Sequence, residues 1–287
     1  MKTRLLLGTT LVLGILSLLY ADHRLETRVG GSLLIVILAL LGWYEFAVMT
    51  GVTSRARGGG AGQVIVGALA MGYFLGLHWW HAEAASWSYL GVFSLARFGD
   101  ALAVGLGATV LGGFLVSIFR EDHQAAYHAL VSNLMGVLLL GVLFPFCLAL
   151  YHLERGALVA VVAFIGIKGN DIAAYLVGRA IGRVRFLKVS PKKTLEGCSA
   201  ALVFSVLFFV SVGFAWPEEF FRWPQAIAAG IILSITTQAG DLSESLIKRT
   251  FEVKDSGALL PEFGGVLDMV DSMLFSSVAF WFLLSLR

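Results

Sequence analysis

The stretch from Gly240 to Ser272, GDLSESLIKRTFEVKDSGALLPEFGGVLDMVDS, sets Asp241, Lys248, Arg249, Lys254, Asp255, Asp268 and Asp271 among apolar residues. On a helix, Asp241, Ser245 and Lys248 share one face by their i, i+4, i+7 spacing, and Asp268, Asp271 and Ser272 share another. Carboxylates brought together from two helices repel unless something cationic lies between them. An oxygen-only donor set favours a hard ion such as Mg²⁺ over Zn²⁺, and no histidine follows His152 to argue otherwise. Mg²⁺ takes few protein carboxylates and completes its shell with water and substrate phosphates. Lysines and arginines beside such ligands are the equipment of phosphoryl or nucleotidyl transfer, where charge neutralisation and positioning supply most of the catalysis. Salt bridges tying two helix ends would also explain the charges, but not the paired Gly264 and Gly265.

A second polar stretch runs from Lys168 to Gly197, KGNDIAAYLVGRAIGRVRFLKVSPKKTLEG. Asn170 and Asp171 sit at the end of an apolar run, where a carboxylate is costly in hydrocarbon and points to a cavity, an ion or a partner. A snorkelling helix end is the bland alternative. Ser190 followed by Pro191 matches an N-cap with proline at N1, which places Lys192, Lys193 and Thr194 in the first turn of a helix. Ammonium groups there oppose the helix dipole unless an anion such as a polyphosphate joins them. A headgroup-binding or topogenic basic loop accounts well for Arg179, Arg183, Arg185 and Lys188, and less well for the two lysines.

The elements that carry these residues must be membrane helices. Of the 287 residues, 58% are hydrophobic and 14% charged, with a mean hydropathy of +0.84, more apolar surface than a soluble domain hides. Long apolar runs without strict alternation select helices over a barrel. The chain reads as an all-α polytopic membrane protein with about nine transmembrane helices, near 4–20, 32–50, 61–77, 100–118, 130–150, 157–176, 198–215, 226–247 and 267–286. Residues 78–99, with Trp79, Trp80, Trp87 and Tyr89, read as an interfacial loop, with a tenth short span at 88–97 as the rival. The N-terminal run reads as a retained span, not a cleaved signal.

Most of the 21 Lys and Arg residues fall on one side of this topology, which puts the N-terminus in the cytoplasm and the C-terminus opposite. Residues 1–156 form hydrophobic hairpins. Residues 157–287 form the region expected to do chemistry, through cytoplasmic polar loops at 168–197 and 240–268. A net charge of +2 gives no reason to expect nucleic acid. Cys147 and Cys198 are isolated and suggest neither a disulfide nor a thiolate metal site. The pairs His78 and His81, and His123 and His128, read as interfacial, and Glu45 reads equally as a cavity residue or a snorkelling one.

In order and spacing these motifs resemble the phosphatidate cytidylyltransferases, or CDP-diacylglycerol synthases. Ser245, Lys248, Arg249, Lys254, Asp255, Gly257, Pro261, Gly264, Gly265, Asp268 and Asp271 match the family's C-terminal signature. NDIAAYLVGRAIG, SPKKTLEG and GDLSES also resemble family sequence. The resemblance implies an integral membrane enzyme, bacterial inner membrane by expectation, with its site facing the cytoplasm and a homodimeric assembly. It implies transfer of CMP from CTP to phosphatidic acid, releasing diphosphate and forming CDP-diacylglycerol, with Mg²⁺ required and K⁺ a companion ion in some members. Asp241 and Asp268 become the metal ligands, with Lys248 and Asp271 beside them in catalysis. Asp171, Ser190, Lys192, Lys193, Thr194, Arg249, Lys254, Asp255, Gly264 and Gly265 become substrate-binding positions, and the protein's partners would be CTP, phosphatidic acid and membrane lipids.

The family's P-G-H-G-G is here Pro261-Glu262-Phe263-Gly264-Gly265, and its D-R-x-D is Asp268-Met269-Val270-Asp271. Glu262, Phe263 and Met269 therefore replace a glycine, a histidine and an arginine. Alternative functions are a cytidylyltransferase for another lipid phosphate, a transporter or flippase, and an inactive homologue.

Overall fold

The computed structural model describes residues 2–54, 59–84, 95–217, 220–257 and 264–286. Pro261, Glu262 and Phe263 lie outside them, as do Trp87, Tyr89 and most of the rival span at 88–97. Ten α-helices run through the described residues: α1 (Lys2–Arg24), α2 (Val29–Met49), α3 (Ala61–Ala84), α4 (Leu95–Ile118), α5 (His123–Gly136), α6 (Phe144–Tyr151), α7 (Gly156–Ile181), α8 (Leu195–Ala215), α9 (Trp223–Thr250) and α10 (Val266–Ser285). No strand occurs among them. The architecture is all-helical, as the apolar runs predict.

Among the described residues, six segments are long and apolar enough to cross a membrane: Val29–Met49, His123–Tyr151, Gly156–Ile181, Leu195–Ala215, Trp223–Thr250 and Val266–Ser285. Shorter apolar helices cover Val12–Asp22, Ala61–Gly76 and Leu102–Ile118. These helices fit an integral membrane protein. Helix extends into both ends of the loop expected at 78–99, since α3 continues to Ala84 and α4 begins at Leu95. Trp79 and Trp80 bring no proline or glycine to end the helix, so the interface-type sequence stays helical.

Contacts divide the chain into two compact units, Met1–Leu153 with Val253–Met269, and Glu154–Glu252 with Val270–Arg287. In the first, α1 and α2 are closed by buried Asp22, which accepts hydrogen bonds from Tyr151 Oη at 2.6 Å, Gly31 N at 2.7 Å and Thr27 Oγ1 at 3.0 Å. A second polar contact sits in the same unit, where Asn133 Nδ2 donates to Gln63 O at 2.9 Å. Between α5 and α6 the chain makes a π-helical turn, Val137–Val142. Pro145 follows in the first turn of α6, where its missing N–H breaks the α-helical ladder.

In the second unit α7 packs on α8, α8 on α9 and α7 on α9. Phe209 of α8 meets Phe280 of α10 edge-on with ring centroids 5.7 Å apart. Helix α9 has 28 residues. At a rise of about 1.5 Å per residue it exceeds the ~30 Å hydrocarbon core, so its C-terminal turns can carry charge outside the lipid.

The start of α8 differs from the sequence expectation. Thr194, not Ser190, is the N-cap, with its Oγ1 accepting from Gly197 N at 3.2 Å, and the helix opens at Leu195. Ser190 O instead accepts Lys193 N at 3.0 Å, closing a turn with Pro191 at its second position. Proline's fixed φ suits that position as well as it suits N1, and a threonine a few residues later offers a competing cap. Lys192 and Lys193 therefore precede the helix.

Candidate active site

In the second unit, α7, α9, α10 and the turn before α8 bring charged side chains together. Helix α9 supplies Asp241 and Glu244 at i, i+3, and α10 supplies Asp271. Carboxylate oxygens of all three lie within 4.8 Å of one another. Glu244 and Asp271 are buried, 3% and 6% exposed, so their charges are poorly screened by solvent. The helices can approach closely because Gly240 faces α10: a Cβ there would stand 2.7 Å from Asp271 O and 3.0 Å from Ser272 Cα.

Cations surround this cluster. Lys193, from the turn before α8, places Nζ 2.5 Å from Asp241 Oδ2. Lys248, one turn beyond Glu244, donates from Nζ to Glu244 Oε2 at 2.7 Å. A neighbouring group joins α7 to α10: Ser272 Oγ donates to Asp171 Oδ2 at 3.0 Å and accepts from Lys168 Nζ at 3.0 Å. Lys168 Nζ also lies 3.5 Å from Asp171 Oδ2. Beneath these, Asn170 accepts through Oδ1 from Ser234 Oγ at 2.8 Å. Thr237 and Ser276 share a hydrogen bond of 2.8 Å.

The remaining predicted site residues lie in the first unit, on the turn and cap before α8, or in the last turn of α9. Asp268, at the third position of α10, accepts three hydrogen bonds on Oδ2, each of 2.8 Å, from Ser256 N, Ser256 Oγ and Gly265 N. The bond to Gly265 N is one half of a capping box, with the third residue of a helix reaching back to its cap. Gly264 has φ +85, and a Cβ there would meet Asp268 Oδ2 at 2.7 Å, so a side chain is opposed by both backbone and space. Lys254 and Asp255 are exposed on the loop after α9, and Met269 is half-buried on α10. Arg249 is exposed in the last turn of α9, and Lys192 is exposed on the turn before Thr194.

The structure thus brings together Asp241, Lys248, Asp271, Asp171 and Lys193 of the motif residues, within one unit. It adds Glu244, Lys168 and Ser272 as site residues. The signal for Glu244 was present in the sequence, since it lies three residues after Asp241 and four before Lys248, the spacing of a helical ion pair. Ser272 already shared a face with Asp271 in the sequence, but its pairing with Lys168 had no comparable signal, because it spans 104 residues.

Residues 2–287 match the cytidylyltransferase family. The chain belongs to that family. Its relatives include the phosphatidate cytidylyltransferase of Synechocystis sp., 40% identical over 130 residues, which are 44% of this chain and 43% of the relative. Phosphatidate cytidylyltransferase 5, chloroplastic, of Arabidopsis thaliana is 41% identical over 127 residues, 44% of this chain and 31% of the relative. The phosphatidate cytidylyltransferase of Helicobacter pylori is 33% identical over 162 residues, 56% of this chain and 59% of the relative. The matched stretches thus span between about a third and three fifths of these relatives. The family resemblance carried by the motifs is borne out.

Proposed function

We propose that this protein is a CTP:phosphatidate cytidylyltransferase. The observation that carries the reading is the convergence of Asp241, Glu244 and Asp271, framed by Lys193 and Lys248, in a chain of this family. An all-oxygen set of three carboxylates fits a hard divalent cation, so Asp241, Glu244 and Asp271 would hold Mg²⁺. Such an ion would draw charge from the phosphoryl oxygens of the nucleotide.

The chain's own residues perform the rest. In the reaction a phosphate oxygen of the lipid attacks the α-phosphorus of CTP. A new P–O bond forms, the bond to the β-phosphate breaks, and diphosphate leaves with the electron pair. The attacking oxygen is already ionised, so no side-chain nucleophile or strong base is required. The barrier is repulsion between two anions, and Lys193 and Lys248 cancel part of it from fixed positions. Lys168, held through Ser272, adds a third ammonium near Asp171. By the family resemblance, Ser190, Lys192, Thr194 and Arg249 in the second unit, and Lys254, Asp255, Gly264 and Gly265 in the first, are the proposed substrate-binding positions. Asp268, a metal ligand by resemblance, is proposed to hold the loop at Ser256 and Gly265.

We further propose a cytoplasmic N-terminus, an active site on the cytoplasmic side of a bacterial inner membrane, a homodimer, and K⁺ as a companion ion. The bias of basic residues supports the sidedness, and family resemblance supports the others. The test is CTP turnover by purified protein with Mg²⁺ against a panel of lipid phosphates. CDP-diacylglycerol from phosphatidic acid is the expected product. Turnover with another lipid phosphate alone would move the substrate assignment, and no CTP turnover with any of them would overturn the reading.

A further inference from the structure

Glu45 is a buried carboxylate in an apolar helix, 3% exposed, and charge is not placed there without a partner. It lies near the end of α2. Its Oε2 accepts Leu267 N at 2.9 Å, a free N–H in the first turn of α10. Its Oε1 is buried and has no hydrogen-bond partner among the described residues. Two glycines line this carboxylate. A Cβ on Gly257 would collide with Oε1, and a Cβ on Gly265 would collide with Oε2.

The three observations converge on one stretch of chain. Gly257 ends the described part of the loop that carries Lys254 and Asp255, and Gly265 with Leu267 opens α10, whose first turn carries Asp268. Both glycines belong to the matched signature, and the space their missing side chains leave is filled by a carboxylate more than two hundred residues away. We propose that Glu45 is a positioning residue, which fixes the signature loop and the first turn of α10 so that Lys254, Asp255 and Asp268 stand in register. The proposal rests on the cytidylyltransferase reading for its kinetic part. Its structural part stands alone.

The mechanism is that of a template. A negative charge at the N-terminus of α10 is favoured by the helix dipole, so the contact is stable in one orientation. The bulk of the carboxylate then sets the distance of closest approach for both glycines. Small shifts in such supporting groups are costly, because catalytic geometry tolerates little displacement.

The experiment compares wild type, Glu45→Gln, Glu45→Ala and Gly257→Ala in lipid nanodiscs. Amide hydrogen exchange over residues 253–270 is measured beside KM for CTP and kcat. Glu45→Ala is expected to speed exchange at Leu267 and its neighbours, and to lower kcat/KM for CTP by about tenfold or more, chiefly through KM. Glu45→Gln keeps an acceptor for Leu267 N and is expected to restore both readouts towards wild type. Gly257→Ala leaves Glu45 in place but crowds it, and is expected to reproduce the alanine phenotype if Glu45→Ala itself does not fold. Wild-type exchange and wild-type KM in both Glu45→Ala and Gly257→Ala would overturn the proposal. So would an activity loss that scales only with the amount of folded protein. If wild type turns over no CTP, the function fails, while the exchange data still decide whether Glu45 holds the loop and α10.

Discussion

Lys193 Nζ stands 2.5 Å from Asp241 Oδ2, so the turn before α8 rests its cation on the acidic face of α9. The contact ties down a lysine that lies outside any helix. It also keeps Asp241 from facing Glu244 and Asp271 uncompensated. Lys193→Ala is expected to lower CTP turnover by roughly 10- to 100-fold, the scale of losing one preorganised charge in a site, with Lys193→Arg intermediate. Steady-state kinetics on matched amounts of folded protein checks this.

Glu244 and Asp271 are buried beside Asp241, an arrangement that makes sense if a cation joins them. Glu244→Gln and Asp271→Asn are each expected to raise the Mg²⁺ concentration for half-maximal activity and to cost about 100-fold or more in turnover. If the cluster is only structural, removing a repelling charge would instead stabilise the protein with activity unchanged. Mg²⁺ titrations of activity and of thermal unfolding separate the two outcomes.

Gly240 sets how closely α9 meets α10. A side chain at this position would press its Cβ on backbone, Asp271 O at 2.7 Å, which cannot turn aside as a side chain can. Gly240→Ala is expected to destabilise the protein by about 1–3 kcal/mol and to weaken Mg²⁺ dependence together with stability. Unfolding in detergent, followed with and without Mg²⁺, provides the measurement.

Thr194 caps α8 and Ser190 does not. Thr194→Ala is therefore expected to cost roughly 1 kcal/mol of stability, whereas Ser190→Ala leaves α8 intact, since Ser190 contributes its backbone carbonyl to the turn. Parallel denaturation curves test the pair.

Much of the second unit is legible in the sequence because its chemistry is local. Asp241 and Lys248 lie on one helix face, and the i, i+3, i+4 rule that relates them also contains Glu244. The cap of α8 is harder to read because two motifs compete within a few residues. Ser190-Pro191 satisfies the rules for a helix start and for a turn equally, and the hydrogen bond from Gly197 N to Thr194 is what separates them. The ends of the loop expected at 78–99 mislead for a related reason, since aromatic anchors report where an interface lies but do not end a helix.

The amino-acid sequence by itself determined that this chain is helical and apolar, that its charges gather in two late stretches, and that their order matches one enzyme family. Those properties follow from composition and short spacings, which do not depend on how distant segments meet. Only the tertiary structure decided that Lys193 belongs to Asp241, that Ser272 links Lys168 to Asp171, and that Glu45 fills the space beside Gly257 and Gly265. These pairings join residues tens to hundreds of positions apart. No periodicity encodes such contacts, because they are set by which helix faces pack and how closely glycine lets them approach.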